Sequence, residues 1–299
     1  MPGIALHFVL AQRALERWEG SGGEPPFDLV DPRTVNAFYH GAIGPDLGYL
    51  PGGYRPLSEL AHSVRTGALT RSLITSARTP TERAFAWGWL THVIADREIH
   101  PWIGLGVGEL LTGGRDTFIA GAAEPLSHLR VELGVDCWYA ARHREARAIR
   151  LRPVFDELSI AFLEQAYRRT YGLAVSRDLL LQSHRSVGRR AGQALASMRI
   201  LGALMDDAAW SVGVPGLRWL LRTAYHTDAL RGISLAFLNP VAPSPWLLDG
   251  IEIAAAGHTD LFMRAYRSGG SCVTDCDLDT GAPLVALDEH ASVVSALEA

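Results

Sequence analysis

The stretch "GWLTHVIADREIHPW", residues 88–102, places two histidines and an aspartate within nine positions of largely apolar sequence. His92 and Asp96 are four residues apart, so on a helix they lie on one face, where an imidazole and a carboxylate can hold the same cation. His100 continues this stripe, but Pro101 disfavours helix immediately before it. We therefore expect the helix to end at Pro101 and His100 to reach a neighbouring ion.

A second segment, "SHLRVELGVDCWY", repeats the pattern. His128 and Glu132 are again four residues apart, and Asp136 follows one turn later. A single His-x3-carboxylate match arises often by chance. Two helices that each present such a pair inward are how helical bundles build multi-metal centres.

The remaining candidates lie upstream: Asp46 in the glycine-rich turn "HGAIGPDLGYLPGG", His62 on the following helix, and His7 on the first helix. Carboxylates and imidazoles crowded in a core are costly without a cation, so we favour metal binding over a structural role. Imidazole and carboxylate without thiolate suit zinc, with manganese or iron as alternatives. The predicted metal ligands are His7, Asp46, His62, His92, Asp96, His100, His128 and Glu132.

Other polar residues are interpreted as structural. The two "HTD" tripeptides, 226–228 and 258–260, lack the i,i+4 spacing, and "DCDLDTG" at 275–281 lacks the glycine that a calcium loop needs at its sixth position. Isolated histidines on apolar helices are more often core or rim residues than ligands. This interpretation applies to His40, His143, His184 and His290.

The hydrophobic periodicity is helical almost throughout, and alternating strand patterns are nearly absent, so the predicted class is all-α. Helix starts are expected near Ile4, after the cap Asp31, at the Thr79–Glu82 capping box and near Pro125. Further helices are predicted at about 153–171, 176–210, 214–237 and 246–267, with loops at 19–32, 43–56, 101–125 and 238–245. We expect one domain, 1–299, with metal ligands in 1–140, a helical half at 141–267 and an irregular tail at 268–299.

The composition excludes several function classes. The net charge of −4 does not indicate nucleic acid or an anionic membrane as partner. All 28 basic residues are arginine, which excludes lysine Schiff-base chemistry. The three cysteines make neither a zinc ribbon nor a disulfide framework. Without a basic leader or an 18-residue apolar run, we expect no transmembrane segment and a cytoplasmic location.

The ordered ligand set, with "GAIGPD" and the G-x3-H-x3-D…HP run, resembles the zinc-dependent phospholipase C family over about residues 2–140. This family is related in fold to P1-type nucleases. The opening "PGIALHFVLAQRALE" is similar to that of glycosylphosphatidylinositol-specific phospholipase D relatives, which share the catalytic domain. The resemblance implies an all-α, multi-helix bundle of the phospholipase C and P1 nuclease type, and a phosphodiesterase with a trinuclear metal site. We expect two to three zinc ions to be bound.

The resemblance also implies how the ligands are distributed. Asp46 would additionally orient or deprotonate the attacking water, as the catalytic residue. Removal of Met1 would let the Pro2 amine complete the third site. The implied ligand sets are Asp46, His62, His92 and Asp96 for one zinc; His100, His128 and Glu132 for a second; and His7 with the far oxygen of Asp96 for a third.

The expected substrate is a small-molecule or lipid phosphoester. Phosphatidylcholine-cleaving relatives carry an aromatic residue after the GPD aspartate, and here that position is Leu47, with Tyr49 and Tyr54 as the nearest aromatics. The alternatives are single-stranded nucleic acid, a specialised metabolite, or a non-catalytic helical binding protein. A nuclease would need stacking platforms such as Trp87, Trp89 or Trp138, which are more easily interpreted as core, so nucleic acid is not favoured. Candidates from the C-terminal half to shape the substrate pocket are Trp246, Asp249 and His258.

Overall fold

The computed structural model describes residues 3–21, 24–143, 151–205 and 239–284. Within these ranges the chain forms nine α-helices, one short 3₁₀ helix and no strand, which confirms the all-α prediction. None of these helices combines the length and apolar character needed to span a membrane. The helices are α1 Ile4–Gly20, α2 Pro32–Gly41, α3 Arg55–Ser63, α4 Thr66–Ser76, α5 Pro80–Thr112, α6 Pro125–Arg142, α7 Ala161–Tyr171, α8 Arg177–Met205 and α9 Pro245–Arg267, with the 3₁₀ helix at Pro45–Gly48.

The predicted helix starts are confirmed where a cap specifies them. The Asp31 side chain accepts a hydrogen bond from the Arg33 amide at 2.9 Å and so begins α2. At the start of α5, Thr79 Oγ1 accepts from the Glu82 amide at 3.2 Å, while the Glu82 carboxylate accepts from the Thr79 amide at 3.0 Å. These bonds satisfy amides that have no partner inside the helix.

Helix α5 does not end at Pro101, so the predicted loop 101–125 begins only after the left-handed cap Gly113. Pro101 has no N–H to donate to the Arg97 carbonyl, a defect that costs about 3 kcal/mol in a helix interior. Beyond the proline, however, Ile103 and Val107 are buried in the core. The free energy of burying that second half of the helix outweighs the missing bond, and α5 continues for three further turns.

Close contact between α2 and α5 depends on two glycines. A Cβ on Gly88 would lie 2.0 Å from the Phe38 carbonyl oxygen, and a Cβ on Gly41 would lie 2.1 Å from the Phe85 carbonyl oxygen. Only residues without side chains therefore fit where the two backbones cross. The crossing brings the end of α2, and the 3₁₀ helix that follows it, against the middle of α5.

Boundaries in the C-terminal half differ from the prediction in one place. Helix α7 begins at Ala161 rather than near 153, because the amides of Val154 and Phe155 donate to His184 Nε2 instead of entering a helix. Helices α8 and α9 lie where the periodicity places them. The predicted helix 214–237 lies outside the described residues.

Candidate metal centre

The structure brings all eight predicted ligands into three groups. Within each group, one ligand atom per residue lies within 4.8 Å of the others. Every one of the eight residues is buried, with at most 6% of its surface exposed. The groups are His7, His92 and Asp96; Asp46, His62 and His92; and His100, His128 and Glu132.

Helical spacing makes the two i,i+4 pairs. On α5, His92 Nε2 lies 3.0 Å from Asp96 Oδ2, and on α6, His128 Nε2 lies 3.1 Å from Glu132 Oε1. His100 remains on α5, where its Nε2 lies 3.0 Å from Glu132 Oε1 and 3.7 Å from Asp96 Oδ1. His100 thus joins the group on α6 because the two helices are adjacent, without any break in the helix.

Three of the histidines are oriented by backbone carbonyls. The Nδ1–H of His62 donates to Ser58 O at 2.8 Å, that of His92 to Ala42 O at 3.0 Å, and that of His100 to Leu278 O at 2.7 Å. A proton on Nδ1 leaves a lone pair on Nε2, which is the atom that faces the carboxylates. Metal-binding histidines are held in this way.

The electrostatics of the cluster favour a positive charge at these Nε2 atoms. Burial alone lowers the pKa of His62, but the carboxylates of Asp46 and Asp96 outweigh it and raise that pKa to about 10. For His100, burial is likewise outweighed by Asp96 and Glu132, which raise its pKa to about 9. The carboxylates therefore favour a cation between the rings, which a proton or a metal ion can supply.

The residues fit zinc. Both carboxylate oxygens of Asp46, and Oδ2 of Asp96, are buried and accept no hydrogen bond from the described residues, which is unfavourable without a cation. Ligand atoms in a tetrahedral zinc site, each about 2.0–2.1 Å from the ion, lie about 3.3 Å apart. His62 Nε2 lies 3.3 Å from Asp46 Oδ1. A small cavity of about 20 Å³ beside His7 and Glu132 has room for about one water-sized particle.

A cavity of about 810 Å³ opens onto the cluster. His62, His100, His128 and Glu132 line it, whereas Asp46, His92 and Asp96 are at most 1% exposed and lie deeper. Tyr49 also lines the cavity, with its ring centroid 5.2 Å from that of His62. The residue after Asp46, Leu47, is 1% exposed and belongs to the core.

The three candidates from the C-terminal half do not line this cavity in the described part of the chain. His258 is buried, its Nε2 lies 3.0 Å from the Thr91 carbonyl oxygen, and burial lowers its pKa to about 4. It therefore fastens α9 to α5. Trp246 packs against Trp102, and Asp249 is exposed.

The C-terminal wall of the cavity comes instead from Arg190, Gln193 and Ser197 on α8 and from Asp277 and Asp279. Sequence reasoning missed Asp279, whose Oδ1 lies 3.4 Å from His128 Nε2. No periodicity marks this residue, and the only signal was the aspartate-rich phrase "DCDLDTG".

Several residues interpreted as structural lie away from the cluster. His40 and His184 are fully buried with ring centroids 4.5 Å apart, and Trp87 and Trp89 are in the core. His143 stacks on Tyr139. Pro2, residues 226–228 and His290 lie outside the described residues.

Comparison with known families supports the same chemistry. The model for the family described as zinc dependent phospholipase C matches residues 6–178, a range that covers more than half of the chain and contains all eight predicted ligands. Comparisons with curated proteins and with solved structures found no match. The chain belongs to the zinc-dependent phospholipase C family.

Proposed function

We propose that this protein is a zinc-dependent phosphoric ester hydrolase that cleaves a phosphodiester in a small molecule or lipid. The observation that carries the proposal is the convergence of eight buried histidine and carboxylate side chains in three groups beside an open cavity. The family match supports the metal and the reaction class.

The proposed ligand sets are those implied by the family resemblance, and the distances support them. His62 Nε2 lies 3.4 Å from Asp96 Oδ2, so Asp96 can join the group that contains Asp46, His62 and His92. The other oxygen of Asp96 lies 3.0 Å from His7 Nε2, so it can serve the group that contains His7. Zinc in such sites neutralises charge on phosphate oxygens and lowers the pKa of a bound water towards ~7.

Asp46 is proposed to combine ligation with proton transfer. Its Oδ1 faces His62 at 3.3 Å, while Oδ2 lies 4.0 Å from His92 Nδ1 and receives no hydrogen bond from the described residues. An ionised carboxylate oxygen without a donor can orient a water and accept its proton.

The cavity supports a substrate with a polar head group. Its volume of about 810 Å³ falls within the usual range for sites that take drug-sized ligands. Arg55 and Arg190 on its wall can pair with phosphate oxygens. Leu47 is buried where choline-cleaving relatives have an aromatic residue, so choline recognition would rest on Tyr49 or would be absent.

The first test is the metal content of protein purified without added metal or chelator, measured by plasma mass spectrometry. The wild type is expected to hold about two to three zinc ions per chain, and His128→Ala about one fewer, because the group of His100, His128 and Glu132 would lose one of its two histidine ligands. If neither sample contains a transition metal, and neither zinc nor chelator shifts the melting temperature, the proposal is wrong.

The second test is hydrolysis by the zinc-loaded protein. The panel contains phosphatidylcholine and phosphatidylinositol vesicles, a soluble nitrophenyl phosphodiester and single-stranded DNA. Cleavage of a lipid or small phosphodiester that is lost on chelation is expected. Stoichiometric zinc without hydrolysis of any ester would instead support a non-catalytic binding protein.

A further inference from the structure

The loop of residues 276–282 is docked onto the metal-binding helices by its backbone. The Leu278 amide donates to the His62 carbonyl at 2.9 Å, and the Leu278 carbonyl accepts from His100 Nδ1 at 2.7 Å. On the far side, Thr66 Oγ1 donates to the Cys276 carbonyl at 2.8 Å. This loop is therefore tied directly to two predicted ligands.

The loop has an internal turn that fixes the direction of Asp279. Asp277 Oδ1 accepts from the amides of Asp279 and Thr280, each at 2.9 Å. Gly281, with φ of +70°, then turns the chain back, and its amide donates to the Asp277 carbonyl at 2.8 Å. The Asp279 side chain is 28% exposed and faces the cavity.

The two oxygens of Asp279 have different neighbours. Oδ2 accepts from the Gly121 amide at 2.8 Å, and Oδ1 lies 3.4 Å from His128 Nε2. A side chain on residue 121 would interfere, since a Cβ on Gly121 would lie 2.7 Å from Asp279 Oδ1. His128 Nε2 also faces Glu132 Oε1 at 3.1 Å, so two carboxylates converge on one ring nitrogen.

We propose that Asp279 is a fourth protein ligand of the ion held by His100, His128 and Glu132. The inference rests on the metal binding proposed above. A group of two histidines and one carboxylate leaves a coordination position open. The 3.4 Å separation agrees with the ~3.3 Å expected between ligand atoms of a tetrahedral zinc site, and ligating carboxylates commonly have their other oxygen hydrogen-bonded.

This ligand belongs to a part of the chain that the family match does not cover. The match ends at residue 178, and the loop begins at residue 276. Asp279 lines the cavity beside His128, so its oxygen would take the coordination position that this group leaves open. A bound substrate would then have less direct access to this ion.

Asp279→Asn tests the assignment with little change in shape. The amide oxygen of asparagine can still accept from Gly121, but the ligating charge is lost. The matched control is Asp275→Asn, which removes one charge beside the same loop at a carboxylate that accepts from the Ala68 amide at 2.8 Å. Asp279→Ala, which removes both oxygens, is expected to lose at least as much zinc affinity as Asp279→Asn.

The measurement is zinc affinity of the metal-free proteins, titrated against a chromophoric chelator, with the visible spectrum of the cobalt-substituted proteins alongside. In Asp279→Asn, one ion is expected to bind about 10–100-fold more weakly, with an altered cobalt spectrum and an unchanged melting temperature without metal. Asp275→Asn is expected to match the wild type in zinc affinity and cobalt spectrum. Wild-type affinity and spectrum in Asp279→Asn would overturn the Asp279 assignment alone, whereas a wild type that binds no zinc would overturn the proposed function with it.

Discussion

At the scale of single residues, Asp96 is the link between two ligand groups. Its Oδ1 lies 3.0 Å from His7 Nε2, and its Oδ2 lies 3.0 Å from His92 Nε2 and 3.4 Å from His62 Nε2. Burial alone raises the pKa of Asp96, but the neighbouring imidazoles, His100 first, hold that pKa well below its ordinary value. One carboxylate thus serves histidines from three helices.

The shared position predicts a difference in metal stoichiometry. Asp96→Asn should lose more zinc per chain than His128→Ala, which should lose about one, since the group of His7 loses its only carboxylate and the group of Asp46 loses one of its two. Metal content of the two purified variants, measured side by side with folded-state circular dichroism, checks this. Equal losses in both variants would mean that Asp96 serves one ion only.

Asp136 shows where a residue pattern stops being informative. It continues the stripe of His128 and Glu132 by one turn, yet its carboxylate accepts from the amides of Ala5 and Leu6 at 3.2 and 3.0 Å. It therefore holds the first turn of α1, the helix that carries His7. Burial raises its pKa to about 7, although those two bonds lower it. The spacing correctly placed Asp136 on the helix face of His128 and Glu132. It could not show that the start of α1, and not a metal ion, would contact the Asp136 carboxylate.

At the scale of elements, the crossing of α2 and α5 positions the group of Asp46, His62 and His92. The Ala42 carbonyl, just beyond α2, accepts from His92, and Asp46 follows four residues later on the 3₁₀ helix. The two backbones can approach closely enough only because Gly41 and Gly88 lack side chains. A shift of α2 would move Asp46 away from His62 and His92.

Substitution of Gly88 by alanine should therefore destabilise the protein. The added Cβ would lie 2.0 Å from the Phe38 carbonyl oxygen, and relieving such overpacking costs about 1–3 kcal/mol or more. The matched control is Gly257→Ala on α9, where a Cβ meets nothing within 4 Å, and where alanine should stabilise the helix by about 0.5–1 kcal/mol. Urea unfolding of both variants gives the two free energies, and a stable Gly88→Ala protein with normal zinc content would contradict the close-crossing argument.

Local signals predicted most elements, and the failures have physical causes. The caps at Asp31 and Thr79 act through side chains within three residues, so the sequence displays them. The predicted helix end at Pro101 was wrong, because burial of the helix beyond Pro101 overcomes the local preference of proline. Asp279 could not be found, because its place beside His128 depends on a loop docking across 151 residues of chain.

At the scale of the whole molecule, the C-terminal half mainly holds the other helices in place, and all eight predicted ligands come from the N-terminal half. His258 and the aromatic packing around Trp18 fasten α9 to α1 and α5. His184 on α8 accepts from the amides of Val154 and Phe155 at 2.9 and 3.3 Å, which anchors the irregular segment before α7. Both histidines act as neutral, buried polar anchors.

Neutral buried histidines make stability fall in mild acid. Burial, with the charge of Arg185, lowers the pKa of His184 from 6.5 to about 3. Between these two pH values the unfolded chain binds a proton that the folded chain does not. The contribution of neutral His184 to the free energy of unfolding is therefore complete above pH 6.5. It is lost as the pH falls towards 3, by up to about 1.4 kcal/mol per pH unit.

The variant His184→Gln separates this effect from those of other acidic-range groups. Glutamine retains an oxygen acceptor but does not titrate, so its unfolding free energy should decline less steeply between pH 7 and pH 5 than that of the wild type. Urea unfolding of the metal-free proteins across this range measures both slopes. Identical slopes would show that His184 binds its proton equally in the folded and unfolded states, and so that burial does not lower its pKa.

The docking of the 276–282 loop has a consequence for synthesis. The bond that orients His100 is made by the carbonyl of Leu278, a residue 178 positions later in the chain. While the chain emerges from the ribosome, His128 and Glu132 are present long before that carbonyl exists. The group around His100 therefore lacks one of its orienting bonds until residue 278 has been translated and packed. A ribosome-bound chain cut short before the loop would therefore lack the hydrogen bond between His100 Nδ1 and the Leu278 carbonyl.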